Sequence, residues 1–145
     1  MGTIKNKAIK NSQWIYHFNA SSCQHCNLEL LTCFSPKYDI ESKGLKLINS
    51  IRQADILLIT GTANEQIAAK LKETYNQASK TIIVIACGTC ACSGGIFSEI
   101  PDFAGPIDKI IPVDIYLPGC PPNPETIIDS FLNKEHIHTR YLTKT

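Results

Sequence analysis

The sequence lacks any apolar run long enough to cross a membrane. A membrane-spanning helix needs about 20 such residues, whereas the longest apolar stretches here, around Ile56–Ile59 and Ile82–Ala86, have the length of a β-strand. The N-terminus is basic, but no apolar segment typical of a secretory signal peptide accompanies it. We therefore expect that, if the protein works at a membrane, other subunits hold it there.

Charge is also scarce and nearly balanced, with 14 Lys and Arg against 13 Asp and Glu and a net charge of +1. Binding of a phosphate backbone needs a clustered basic surface, so the composition gives no support to nucleic-acid binding. The 43% of hydrophobic residues is typical of a folded domain and not of a disordered chain. We predict an N-terminal arm at 1–13, a single α/β domain at 14–133 and a C-terminal tail at 134–145.

Strand-like and helix-like segments alternate along the chain, which is typical of an α/β domain with a mostly parallel sheet. Asn64 has the chemistry of a helix cap, and Pro124 that of a first helical residue. In such sheets ligands bind at the carboxyl ends of the strands. The predicted strands lie at 14–18, 55–60, 81–86 and 113–117, and the predicted helices lie near 28–34, after 64 and from 124 to about 132.

Seven cysteines are many for 145 residues, and an odd number does not fit a closed disulfide framework. Clustered thiols without an export signal more often indicate metal binding or redox chemistry. Cys23 and Cys26 follow the first predicted strand, while Cys90 and Cys120 follow the last two. The sequence therefore predicts that thiols from distant segments meet at one edge of the sheet.

The Cys23-x-x-Cys26 pair alone is compatible with zinc, a redox dithiol or an iron–sulfur cluster. A zinc ribbon needs a second such pair, and a dithiol leaves Cys90 and Cys120 unexplained. Four soft thiolates suit a [4Fe–4S] cluster. Gly88, Gly94 and Gly95 surround Cys90, and we expect their backbone amides to approach the cluster sulfurs. Gly119 is expected to supply a tight turn before Cys120, so that all four glycines lie near the cluster.

Three motifs occur in order over about residues 14–132, namely S-C-x-x-C-x-L-E, G-x-C-A-x-S-G-G-x-F and V-D-I-Y-L-P-G-C-P-P-x-P-E. Together they resemble the small subunit of energy-converting (membrane-bound, group 4) [NiFe]-hydrogenases, which is homologous to the 20 kDa subunit of complex I. The resemblance implies a flavodoxin-like domain. It also implies that Cys23, Cys26, Cys90 and Cys120 ligate one proximal [4Fe–4S] cluster.

The resemblance further implies an oxidoreductase subunit that is not catalytic alone. It would pass electrons to a large catalytic subunit for proton reduction. Further implied partners are a ferredoxin-like iron–sulfur subunit and membrane subunits, which would hold the chain peripherally on the cytoplasmic side of the cell membrane. The spacing of Cys23 and Cys26 favours the hydrogenase branch, since complex I relatives usually have adjacent cysteines here. Two alternatives stay open: a nickel-free complex that reduces a quinone or a sulfur compound, and a structural zinc module.

Two residues near the first motif carry separate predictions. His25 stands where hydrogenases usually have glycine, and we expect it to lie beside the cluster without being a ligand. Glu29 has two interpretations. Its carboxylate either caps the N-terminus of the helix that begins there, or it contributes to a proton path, as the resemblance implies.

The remaining cysteines and histidines are expected to be structural. We predict that Cys33 and Cys87 are small buried residues and that Cys92, although close to Cys90, is not a ligand. His17 lies in a predicted strand, and we expect its ring to be hydrogen-bonded inside the fold. We predict that the two histidines of the tail, His136 and His138, are solvated.

Overall fold

The computed structural model describes residues 13–21 and 24–132, which contain one five-stranded sheet. All strand pairs are parallel, and the strand order is β2-β1-β3-β4-β5. This is the order of flavodoxin-like folds, so the predicted α/β class is confirmed. The strands are β1 (Gln13–Ser21), β2 (Leu45–Leu47), β3 (Ile56–Gly61), β4 (Ile83–Cys87) and β5 (Ile115–Leu117).

Helices cover both faces of the sheet. One face packs against α1 and α5, which contribute Leu30 and Phe131 to its core. The other packs against α2, α3 and α4, which contribute Leu71, Ala91 and Ile107. The helices of the described residues are α1 (His25–Cys33), α2 (Glu65–Gln77), α3 (Thr89–Ser93), α4 (Ile107–Ile110) and α5 (Pro124–Leu132), with 3₁₀ turns at Ile40–Lys43, Ile51–Gln53 and Gly95–Phe97.

The central strand β3 explains the apolar run seen in the sequence. Ile56 and Leu58 belong to the core under α1 and α5, whereas Leu57 and Ile59 belong to the core on the opposite face. All four side chains are fully buried. A parallel strand covered on both faces needs apolar residues at every position and not at alternate ones.

Side chains also fix where elements begin. The Asn64 side chain accepts a hydrogen bond from the amide of Ile67 (2.8 Å), which confirms it as the cap of α2. Asp114, just before β5, accepts from the amide of Val84 through its carboxylate (2.9 Å). This bond extends the pairing of β4 with the chain that leads into β5.

Several boundaries differ from the predictions: the first helix begins three residues earlier, at His25, and the last two strands each begin two residues later, at Ile83 and Ile115. β1 begins at Gln13 and runs to Ser21, three residues past the predicted end at Phe18, and the edge strand β2 was not predicted. The predicted arm up to residue 12, the tail from 133, Cys23 and both tail histidines lie outside the described residues. No helix within the described ranges is long and apolar enough to cross a membrane.

Candidate metal centre

Three of the four predicted ligands lie on segments that leave the carboxyl ends of strands. Cys26 is in the first turn of α1 after β1, Cys90 is in α3 directly after β4, and Cys120 follows β5. Because all the strands are parallel, these segments leave the sheet at the same edge. The prediction that these three thiols follow strand ends is therefore confirmed.

The segments that carry Cys90 and Cys120 are hydrogen-bonded to each other beyond the end of the sheet. The amide of Gly88 donates to the carbonyl of Leu117 (2.6 Å), and the amide of Thr89 donates to the carbonyl of Gly119 (2.9 Å). The amide of Gly119 returns a hydrogen bond to Thr89 Oγ1 (3.2 Å). Thr89 and Gly119 are the residues that immediately precede the two cysteines.

Cys26 meets this pair of segments at Gly88. A Cβ atom built on Gly88 would lie 2.7 Å from Cys26 Sγ, and Gly88 has φ +90°, a conformation that L side chains rarely adopt. The same Cβ would lie 3.6 Å from the carbonyl oxygen of Gly119. Gly88 is thus the point at which the Cys26 thiol, the turn after β4 and the turn after β5 come together.

Two of the three glycine amides around Cys90 have backbone partners. The expectation that these amides point at cluster sulfurs is wrong for Gly88, whose amide donates to the carbonyl of Leu117 (2.6 Å). It is also wrong for Gly94, whose amide donates to the carbonyl of Cys90 (2.9 Å) and whose α-carbon lies against the ring of Phe103. Gly95 lies beside Cys90, since a Cβ there would be 3.5 Å from its Sγ.

The three thiols differ in exposure. Cys26 is 7% exposed, Cys90 is half-buried and Cys120 is exposed. Among residues 13–21 and 24–132, no group of three or more His, Cys, Asp and Glu side chains is arranged to hold a metal ion. Cys23, the fourth predicted ligand, is outside these ranges. Iron–sulfur clusters are held by cysteine thiolates, so the chemistry of the three described thiols fits such a group.

Cys87 is a functional neighbour that sequence reasoning missed. Its predicted burial is confirmed, since it is 0% exposed. The Cys87 thiol also donates a hydrogen bond to Cys26, which is the main cause that lowers the pKa of Cys26 to about 7. The same bond, with burial, raises the pKa of Cys87 well above its usual value. Cys26 is therefore readily ionised to the thiolate that binds metals.

Residues 23–133 match the family of the NADH ubiquinone oxidoreductase 20 kDa subunit. The chain belongs to this family. It is 45% identical over 122 residues to the probable membrane-bound hydrogenase subunit mbhJ of Pyrococcus furiosus, a match that covers 84% of this chain and 73% of the relative. It is 42% identical over 138 residues to an NADH-quinone oxidoreductase subunit of Flavobacterium johnsoniae, over 94% of this chain and 74% of the relative.

A solved structure of the membrane-bound sulfane sulfur reductase, an archaeal respiratory membrane complex, is also similar. It superposes with a TM-score of 0.77 at 33% identity and covers 96% of this chain and 77% of that one. These findings confirm the predicted family. They identify the chain as a subunit of an oxidoreductase complex of the hydrogenase or NADH-quinone oxidoreductase type.

In this member of the 20 kDa subunit family, Glu29 does not cap α1. The helix begins at His25 and has no acidic residue in its first turn, so the capping hypothesis is wrong. Glu29 is half-buried in the next turn, and its charge partly opposes the low pKa of Cys26. The proton-path role remains a prediction. His25 is exposed at the first position of α1, adjacent to Cys26 in the chain.

The other two cysteines are held as neutral thiols. Cys33 is fully buried, as predicted, and its Sγ donates to the carbonyls of Glu29 (3.3 Å) and Pro124 (3.5 Å). Cys92 Sγ donates to the carbonyl of Ala86 (3.5 Å). Burial raises the pKa of each thiol to about 12. Both environments favour the protonated thiol over the thiolate that a metal needs.

Proposed function

We propose that this chain is the electron-transfer subunit of a membrane-associated, energy-converting [NiFe]-hydrogenase. One [4Fe–4S] cluster would be held by Cys23, Cys26, Cys90 and Cys120. The observation that carries the proposal is the meeting at Gly88 of the Cys26 thiol with the two hydrogen-bonded segments that bear Cys90 and Cys120. Cysteine thiolates are the usual ligands of such clusters.

When bound, the cluster supplies one-electron transfer, so no proton or bond need change within this chain. The chain's own residues prepare the site. The hydrogen bond from Cys87 keeps Cys26 close to ionisation at neutral pH. The hydrogen bonds between Thr89 and Gly119 fix the chain just ahead of the other two described ligands. The segments that carry Cys90 and Cys120 are therefore held together by the fold itself.

Apolar side chains near this edge support a protein partner. Leu28 and Leu31 are 58% and 59% exposed on α1, the helix that contains Cys26. Ile96 is 85% exposed in the turn that follows α3. Large exposed apolar side chains near a functional site are typical of an interaction surface. We assign this surface to the large catalytic subunit, which receives electrons from the cluster.

The remaining partners follow from the same assignment. A ferredoxin-like iron–sulfur subunit delivers electrons, and membrane subunits hold the assembly peripherally on the cytoplasmic side of the membrane. The likeness to a subunit named for a membrane-bound hydrogenase supports this arrangement. Among the helices at 13–21 and 24–132, none has the length and apolar character needed to cross a membrane.

The test is the metal content of the complex isolated natively without oxygen, with hydrogen evolution measured on the same sample. Iron and nickel together with hydrogen turnover support the hydrogenase function. Zinc without iron, in a colourless protein, would overturn the cluster and leave a structural zinc module.

A second candidate is a nickel-free complex that reduces a sulfur compound or a quinone. It is favoured by the structural likeness to the sulfane sulfur reductase and by the likeness to an NADH-quinone oxidoreductase subunit. Iron without nickel or hydrogen turnover in the same preparation would select it, with the four-cysteine cluster unchanged.

The ligand set has its own test in the intact complex. Cys120→Ala should lose the cluster signal of this subunit or prevent assembly, because it removes one of four ligands. Cys92→Ala is the matched control and should keep both iron and signal, since Cys92 is bonded to a backbone carbonyl. Unchanged iron content and signal in Cys120→Ala would remove Cys120 from the ligand set.

A further inference from the structure

A chain of polar side chains runs from the interior of the sheet to the first turn of α1. His17 Nε2 lies 2.9 Å from Thr60 Oγ1, and Thr60 Oγ1 donates to Asn27 Oδ1 at 2.8 Å. Asn27 Nδ2 then donates to Gln24 Oε1 at 2.6 Å. Thr60 is 0% exposed, whereas Gln24 is at the surface. Side chains from β1, β3 and α1 are thereby joined.

The hydrogen bonds in this series of side chains all have the same direction, from His17 toward Gln24. The single hydroxyl proton of Thr60 is given to Asn27, so Thr60 can only accept from His17. His17 therefore donates to Thr60 from Nε2, and burial of the ring lowers the pKa of His17. Aligned hydrogen bonds of this kind polarise and strengthen one another.

The register of β1 against β3 makes this series of hydrogen bonds possible. His17 pairs with Leu58 in the parallel ladder, so it faces the same side as Leu58 and Thr60, two positions along β3. That side is the face covered by α1. Asn27 is the residue directly after Cys26, so the side chain bonded to the sheet is adjacent to a proposed ligand.

We propose that His17, Thr60 and Asn27 form a positioning relay that anchors the first turn of α1 to the sheet and so sets the orientation of Cys26 toward the cluster. The inference rests on the proposed function, because it takes Cys26 to be a cluster ligand. The turn needs such an anchor. Gln24, just before α1, has a left-handed conformation (φ 70°) and no side-chain cap bond to the helix backbone.

The test compares Thr60→Val with Thr60→Ser in the natively isolated complex. Valine has the shape of threonine but neither donates to Asn27 nor accepts from His17, whereas serine keeps the hydroxyl. The readouts are the electron paramagnetic resonance spectrum of the reduced cluster and the rate of iron loss to a chelator. Loss of a group that orients a metal ligand typically weakens the site by about 10- to 100-fold. We expect Thr60→Val to release iron faster by about that factor with an altered spectrum, and Thr60→Ser to match the wild type.

The matched control is Thr32→Val on the same helix. Thr32 Oγ1 donates to the carbonyl of Leu28 (2.8 Å), so this variant also loses one threonine hydrogen bond, but one outside the relay. It should keep the wild-type spectrum and release rate. If Thr60→Val fails to fold, Asn27→Leu breaks the relay from its half-exposed end and should show the same altered spectrum.

The outcomes distinguish a failure of the relay from a failure of the proposed function. A wild-type complex with cluster iron, together with wild-type spectra and release rates in Thr60→Val or Asn27→Leu, overturns the relay and leaves the proposed function standing. Equal effects of Thr60→Val and Thr60→Ser also overturn it. A wild-type complex without cluster iron overturns the proposed function, and the relay with it.

Discussion

Substituting Gly88 by alanine tests the central contact of the site. The added Cβ would lie 2.7 Å from Cys26 Sγ. Non-bonded heavy atoms pack at about 3.5–4.0 Å, so the sulfur must retreat by about 1 Å. Metal–ligand distances tolerate only about 0.2 Å. Even a folded Gly88→Ala protein should therefore be unable to present Cys26 as a ligand in its present position.

The cost in stability follows from two contributions. An alanine at φ +90° stores about 1–3 kcal/mol of backbone strain, and overfilling a packed site costs about 1–3 kcal/mol more. The sum, about 2–6 kcal/mol, is a large part of the roughly 5–15 kcal/mol that holds a typical domain folded. We expect a clear fall in the urea midpoint of the full chain and loss of cluster iron from the complex.

Gly105→Ala is the matched control for this prediction. Gly105 also has a positive φ (+105°), but a Cβ there would meet only the Lys109 side chain, at 3.4 Å. It should lower stability by the strain contribution alone, about 1–3 kcal/mol, and keep the cluster. The reasoning is refuted if Gly88→Ala retains wild-type iron and spectrum, or if the two variants lose the same amount of iron.

Two further predictions concern the thiol pair and a helix end. Cys87→Ala should raise the pKa of Cys26 from about 7 toward its usual value of 9, because the hydrogen bond from Cys87 is the main cause of the low pKa. The pH dependence of iodoacetamide labelling of Cys26 in the iron-free chain measures this pKa. A labelling midpoint that does not move in the variant contradicts the prediction. The thiolate of Cys26 should accordingly become reactive at a higher pH in the variant than in the wild type. Asn64→Ala should cost about 1 kcal/mol of unfolding free energy through the lost cap of α2, whereas Asn76→Ala, exposed near the end of that helix, should cost nothing measurable by urea unfolding.

Much of the fold follows from local pattern. The runs around Ile56–Ile59 and Ile82–Ala86 predict buried strands because a sheet covered on both faces has no polar side. Asn64 predicts a helix start by its own chemistry. Cys90 and Cys120 could be placed at one edge because each follows a predicted strand, and parallel strands share their carboxyl edge.

Other features depend on contacts between distant segments and have no local signal. β2 is a three-residue edge strand (Leu45–Leu47), too short for alternation to reveal it. The hydrogen bond between Cys87 and Cys26 depends on how α1 sits over the end of β4. The pairing of His17 with Thr60 depends on the register of β1 against β3. The assignment of the glycine amides failed for Gly88 because its amide donates to Leu117 on the neighbouring strand β5.

The hydrogen bonds that continue from β4 and β5 into the turns beyond them have a consequence for how the site opens. The amide of Gly88 donates to Leu117 at the end of β5, and the amide of Thr89 donates to Gly119 beyond it, so the hydrogen bonding between the two strands continues past the end of β4. Segments bonded in this way open only together with the sheet, at a free-energy cost near that of global unfolding. Amide hydrogen exchange at these two positions should therefore be as slow as in the strands.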